Sequence, residues 1–323
     1  MLLPLSALIP GFFLLAFSAD LFVNNAIGLA RRLNISPRLV ALLVMSLGTS
    51  APEIFVSVSA AFTHRDSLAI GNALGSNIAN IGLVMGVTLA VCPLLPGYIN
   101  AGRELGLMVL VTLGAALVLY DYHMGWMESV LMLGASLACT GLLYRWQQRP
   151  GTDDADSPAS GEPAENDDSV ESSLGKTLVL LTGGLVLLLA SSRVLVWVAA
   201  VVARELGVSE LTIGLTVVAL GTSLPELAAC MASALKGRQD MAIATVTGSN
   251  IFNLLIVMAI PGLVAPVTVE SFAFLRDYTA MLLMTLLVIV LLRPVRRGGK
   301  FFKRLPGLVL LAAYLVYVGC LAI

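Results

Sequence analysis

The sequence predicts an all-α polytopic membrane protein of ten transmembrane helices, built as two inverted-topology five-helix repeats. Three observations predict it. Of the 323 residues, 58% are hydrophobic and only 12% charged, with a mean hydropathy of +0.93. A soluble domain carries about 25% charged residues and could not hide so much apolar surface. L-G-T-S-A-P-E at 47–53 returns as L-G-T-S-L-P-E at 220–226, and G-S-N-I-A-N at 75–80 returns as G-S-N-I-F-N at 248–253, each offset by 173 residues. One offset shared by two separate motifs means a duplicated unit. Finally, a polar stretch at 150–173 divides the chain into halves at 1–149 and 174–323.

Hydropathy places the ten helices at 2–30, 39–62, 68–91, 104–120, 126–145, 174–203, 211–235, 241–264, 277–292 and 306–323. The first starts without the basic n-region of a signal peptide, so it is expected to remain as a helix; Arg31 and Arg32 follow it. The first and sixth are long for simple spans and are expected to tilt. The second and seventh each carry a G-T-S-x-P-E motif, and the third and eighth each carry a G-S-N motif. Arg145 and Arg149 close the fifth. After it come eight acids, from Asp153 to Glu171, with no Lys or Arg between Pro150 and Gly175. This composition predicts a solvated, disordered linker.

Five spans per half make the second half enter the membrane from the opposite side, the inverted arrangement of many secondary transporters. Basic residues orient the whole. With the N-terminus outside, fifteen Lys and Arg, from Arg31 to Arg304, fall in loops on the inner side, against Arg65, Arg204 and Arg276 outside. Both termini are therefore expected outside and the acidic linker in the cytoplasm. Cys92, Cys139, Cys230 and Cys320 lack metal-ligand spacing and read as packing residues. His64 and His123 fall in predicted loops.

Ionisable side chains inside a span are costly and mark function. Glu53 and Glu226 sit mid-helix, each directly after a proline, Pro52 and Pro225. Each proline removes the hydrogen bond to the carbonyl four residues back, those of Gly48 and Gly221. Each motif thus offers a freed carbonyl, two hydroxyls (Thr49, Ser50; Thr222, Ser223) and a carboxylate. Hard cations take oxygen ligands, and two carboxylates match the charge of Ca²⁺. Ser76, Asn77 and Asn80, with Ser249, Asn250 and Asn253, add neutral oxygens suited to monovalent ions. Ser76 and Asn80 are four apart, as are Ser249 and Asn253, so each pair shares a helix face. The bland alternatives are kinked helices with paired buried acids and small residues for close packing. Recurrence of both motifs at one offset, with no basic residue in the four helices that carry them, disfavours those alternatives. Asp20 and Arg193 also correspond under the repeat, which would bring the first and sixth helices together through an ion pair, either static or a gate.

On these motifs the chain resembles the sodium/calcium exchanger family of the cation/calcium antiporter superfamily, and most of all its short bacterial members. The resemblance extends to ten helices and a hydrophilic loop after the fifth. It implies an inner-membrane antiporter, needing no cofactor, that exports Ca²⁺ against an inward Na⁺ or H⁺ gradient, with a monomer sufficient. It implies Ca²⁺ ligation by Glu53 and Glu226 with Thr49 and Thr222, and Na⁺ sites involving Ser50, Ser76, Asn80, Ser223, Ser249 and Asn253. Potassium-dependent relatives carry Asp where this chain has Asn253, which argues against K⁺ as a co-substrate. The expected function is Ca²⁺/Na⁺ antiport; Ca²⁺/H⁺ antiport and, from a different class, a cation channel are the alternatives. Nothing points to an enzyme or to nucleic acid: there is no H-E-x-x-H, no G-x-S-x-G and no basic domain.

Overall fold

A computed structural model describes residues 2–93, 101–147, 173–207, 219–269, 271–292 and 300–321. The acidic linker, up to residue 172, and residues 211–218 of the predicted seventh helix lie outside them. In chain order the helices are α1 (Leu2–Leu33), α2 (Pro37–Thr49), α3 (Ala51–Phe62), α4 (Ser67–Val91), α5 (Gly102–Val118) and α6 (Trp126–Gln147). They continue with α7 (Leu174–Glu205), α8 (Ala219–Thr222), α9 (Leu224–Leu235), α10 (Gln239–Val264), α11 (Ser271–Leu292) and α12 (Lys300–Leu321).

Helical segments occupy parts of all ten predicted ranges. Seven of them are long and apolar enough to cross a membrane, and the pair α2 and α3, bent by 42°, makes an eighth if counted as one span. At 17 residues, α5 is shorter than those seven. The protein is a membrane protein, and its surface says so. Phe13, Leu117, Leu137, Val179, Trp197 and Val316 stand exposed on the outside, while serines, threonines, asparagines and two glutamates fill the middle. Lipid solvates the apolar exterior, so burial is left to small and polar groups.

The centre is made by α4 and α10, whose membrane stretches are 72% and 89% buried, against 22–44% for α1, α6, α7, α11 and α12. Small residues let neighbours approach. A Cβ on Gly307 of α12 would lie 2.3 Å from the Ala90 nitrogen of α4, and one on Gly184 of α7 would lie 3.0 Å from the Phe22 nitrogen of α1. The duplication is visible in the backbone. Asn34 (φ 52°) and Gly207 (φ 80°) both end long helices in the left-handed region, and His64 (φ 52°) and Gly237 (φ 73°) repeat this, all at the offset of 173. Two-residue strands β1 (His123–Met124) and β2 (Val267–Thr268) pair antiparallel, so His123 belongs to a strand and not to a loop; its Nδ1 lies 3.2 Å from Thr268 Oγ1.

Two sequence expectations need correction. Asp20 does not pair with Arg193. The long helices α1 and α7 do pack together, but Asp20 Oδ1 meets Lys236 Nζ at 2.5 Å and its Oδ2 accepts from Asn24 Nδ2 at 3.0 Å. Repeat symmetry makes positions equivalent without choosing which faces meet, and the face of α1 bearing Asp20 turns to the end of α9. The cysteines are all free; Cys139 and Cys230 are buried and half-buried Cys92 packs against the core, as packing residues should, but Cys320 is exposed.

Candidate cation site

The site begins with two interrupted helices. Pro52 and Pro225 cannot donate a backbone hydrogen bond, and the residues between the helical pieces, Ser50 (φ −78°, ψ 5°) and Ser223 (φ −89°, ψ 3°), leave helical geometry together. Each break is one residue wide, because Ile54 N–H donates to Ser50 O at 3.1 Å and Leu227 N–H to Ser223 O at 3.0 Å. Helix α3 therefore starts at the motif and aims Glu53 inward from its first turn; α9 does the same for Glu226. Across from them, α4 and α10 each open a π-helical turn at the repeat-related residues Asn80 and Asn253. Such turns widen the helix and are frequent at functional sites.

The four elements interlock. Ser76 Oγ donates to Glu53 Oε1 at 3.3 Å, and Asn72 Nδ2 donates to Glu53 O at 3.3 Å. Ser249 Oγ donates to Ser46 O at 3.4 Å, tying α10 to α2. Ser57 Oγ donates to Val257 O at 2.7 Å, tying α3 to the second π turn. At the middle, Asn77 Nδ2 donates to Asn250 O at 3.1 Å and Asn250 Nδ2 donates back to Asn77 O at 3.4 Å. Residues separated by the repeat offset thus hold each other reciprocally.

What remains unpaired identifies the site. Ser50 Oγ, Glu53 Oε2, Asn77 Oδ1, Asn80 Oδ1, Ser223 Oγ, both Glu226 carboxylate oxygens, Asn250 Oδ1 and Asn253 Oδ1 are buried without a hydrogen-bond partner. These residues are at most 1% exposed and form four repeat-related pairs. Native proteins rarely leave such atoms unsatisfied, and a cluster of them calls for a ligand or water. The two carboxylates are near enough for direct charge coupling, and Thr49 faces Glu226 although its hydroxyl reaches Ser46 O at 3.4 Å. Ion pairs join Arg38 to Glu104, Lys236 to Asp20 and Arg276 to Asp277, and among the described residues none involves Glu53 or Glu226. Arg193 acts on Glu53 only through space, and a pair of buried carboxylates with no cationic side chain in contact is costly unless a cation or proton joins it. The amide nitrogens of Asn80 and Asn253 are unpartnered too, but an amide nitrogen does not ligate, so the atoms able to bind an ion are oxygens, as a hard cation requires.

Of the expected ligands, Thr49, Ser50, Glu53, Ser76, Asn80, Ser223, Glu226, Ser249 and Asn253 are all buried, with Ser76 meeting Glu53 and Ser249 meeting Ser46, while Thr222 is only half-buried. One expected ligand is spoken for. The Gly221 carbonyl accepts from Ser192 Oγ of α7 at 3.1 Å and faces that helix. Ser192, Ser46 and Asn72 were missed because their repeat counterparts are Ala19, Ala219 and Thr245, so a search for matched pairs passes over them.

Comparison with known proteins gives the family of this fold. The profile of the sodium/calcium exchanger protein family matches residues 3–145 and 176–322. The chain belongs to the sodium/calcium exchanger family. Among curated relatives of this exchanger, the putative antiporter CaxA of Alkalimonas amylolytica is 40% identical over 312 residues, covering 95% of both chains. The inner membrane protein YrbG of Escherichia coli is 38% identical, covering 90% of this chain and 89% of its own. Among solved structures, that of the sodium-calcium exchanger NCX_Mj soaked with Na⁺ and Ca²⁺ superposes with a TM-score of 0.78 at 29% identity, covering 99% of this chain and 98% of that one. The exchanger is thus a membrane transport protein of the calcium/sodium antiporter family.

Proposed function

We infer that this exchanger exports Ca²⁺ in return for Na⁺ by alternating access, through ten spans in two inverted repeats with the ion site at mid-membrane. The observation that carries this reading is the cluster of buried, unpartnered oxygens in repeat-related pairs around Glu53 and Glu226. Glu53 and Glu226, with Thr49 and Thr222, take Ca²⁺; Ser50, Ser76, Asn80, Ser223, Ser249 and Asn253, sharing the carboxylates, take Na⁺. The two carboxylates neutralise one Ca²⁺, which lowers the cost of holding a dehydrated divalent ion in the membrane interior. Because Na⁺ uses the same carboxylates, the two ions exclude each other, and that competition couples their movements. The names of the relatives support the reading, since both NCX_Mj and the family carry sodium and calcium in theirs. A bacterial inner-membrane location follows the likeness to YrbG. The bias of basic residues supports outer termini and a cytoplasmic linker, which impermeant labelling of an introduced linker cysteine in intact cells would refute.

The test is ⁴⁵Ca²⁺ uptake into proteoliposomes under imposed Na⁺, H⁺ or K⁺ gradients. Uptake driven by outward Na⁺ and indifferent to K⁺ is expected. Uptake that follows only the H⁺ gradient would assign H⁺ as the counter-ion, and flux without any counter-ion gradient would indicate a channel.

A further inference from the structure

The two half-sites are braced from different directions. Glu53 is held from within by α4, through Ser76 on its carboxylate and Asn72 on its carbonyl. The repeat counterparts of those braces do not reach Glu226. Ser249 Oγ is directed to Ser46 O, and position 245 is a threonine whose hydroxyl donates to Met241 O of its own helix at 2.9 Å. Neither Glu226 oxygen has a hydrogen-bond partner in good geometry, and the side chain that faces the carboxylate, Thr49, comes from α2 and not from α10.

The second half is instead held from outside, at the break. Pro225 strips the Gly221 carbonyl of its helical partner, and Ser192 Oγ on α7 replaces it at 3.1 Å. One turn further along the same face, Val196 seats on Gly221 so closely that a Cβ there would lie 2.0 Å from Val196 Cγ2. Ser192 is 3% exposed, so no water competes for the bond. The first half has no counterpart. Ala19 stands where Ser192 would be, and the nearest atoms to a Cβ on Gly48 are carbons of Leu185 and Phe22. The far end of α9 is tied as well, by Lys236 to Asp20 of α1.

We propose that Ser192 is a positioning residue for the Glu226 half-site, acting through the Gly221 carbonyl to hold the break from which Ser223 and Glu226 reach the ion. The proposal rests on the reading of this cluster as the Ca²⁺ site. Ser192 does not touch the ion. Its loss leaves a buried carbonyl without a donor, and the one-residue hinge between Gly221 and Glu226 relaxes to find one.

The experiment compares Ser192→Ala, Ser192→Thr and Ser192→Val in full-length protein, with Ser191→Ala as control, since Ser191 Oγ bonds Leu188 O of its own helix at 3.0 Å. Two readouts are taken: thermal stabilisation by added Ca²⁺ in detergent, and KM and kcat for ⁴⁵Ca²⁺ uptake under whichever gradient drives the wild type. Ser192→Ala and Ser192→Val are expected to weaken the apparent Ca²⁺ affinity about fivefold to tenfold, the size of one neutral hydrogen bond, in both readouts. Their kcat should stay within about twofold, since ground-state binding is what suffers. Ser192→Thr keeps the hydroxyl and should restore affinity; Ser191→Ala should match the wild type. Thr and Val have nearly the same shape, so their comparison decides the matter even if Ser192→Ala does not purify. Equal Ca²⁺ affinity in the Thr and Val variants overturns the proposal. Absence of Ca²⁺ stabilisation in the wild type would overturn the site reading itself, and is thereby distinguished.

Discussion

Residues 46–80 and 219–253 hold almost the same motifs, and comparing them shows how duplicated sequence becomes an asymmetric site. Breaks, prolines, carboxylates and π turns recur at the same positions. The hydrogen bonds do not. Ser76 bonds the carboxylate of its own half, whereas Ser249 crosses to α2. Gly221 has a hydroxyl on its carbonyl, while among the described residues no side-chain donor reaches that of Gly48. The difference traces to a handful of unmatched positions: Ser46 against Ala219, Asn72 against Thr245, and Ala19 against Ser192. A repeat therefore keeps where its polar side chains stand more faithfully than what holds them there.

The most severe way to probe the comparison is to remove one carboxylate at a time. Glu53→Gln and Glu226→Gln are each expected to abolish Ca²⁺ uptake, by at least about a hundredfold, because each removes half the formal charge offset against a buried ion. Uptake assays on protein that still elutes as a folded monodisperse species check this. Wild-type flux in either variant would show that one half is dispensable.

Next in size are the glycines preceding the two serines. A Cβ on Gly248 would sit 2.2 Å from Leu42 O and 2.6 Å from Ser46 Oγ, whereas no described atom comes within 4 Å of a Cβ on Gly75. Gly248→Ala should cost about 1–3 kcal/mol by overpacking. Gly75→Ala should be neutral or stabilise slightly, as helix propensity favours Ala by about 1 kcal/mol. Melting temperatures in detergent would tell, and equal costs would erase this asymmetry.

The reciprocal amides give a smaller effect and test where the halves agree. Asn77→Ala and Asn250→Ala each remove one donor of the pair. Interhelical hydrogen bonds in membranes average about 0.6 kcal/mol, so each single loss should be modest. A double-mutant cycle should still show coupling, and strict additivity would argue that the two bonds form independently.

The weakest expected contribution is the Asp20–Lys236 pair, whose side chains are 52% and 30% exposed. Asp20→Asn and Lys236→Gln should each cost no more than about 1 kcal/mol, with the double variant recovering part of it. A coupling measured instead between Asp20 and Arg193 would contradict the packing of α1 seen in the structure.

How far the sequence leads can be judged residue by residue. Hydropathy and the repeat alone locate the helical segments, the two motif prolines and the repeat-related polar residues at the centre, because partition into lipid and the missing N–H of proline are local properties. The same logic marks Glu53 and Glu226, since an acid in an apolar helix is costly wherever the chain folds. Partner choice is not local. That Asp20 turns to Lys236 instead of Arg193, that Ser249 crosses to α2, and that Ser192 occupies the Gly221 carbonyl all depend on which helix faces meet. Those faces are set by close packing of glycines and side chains across many contacts, and only the assembled structure resolves them.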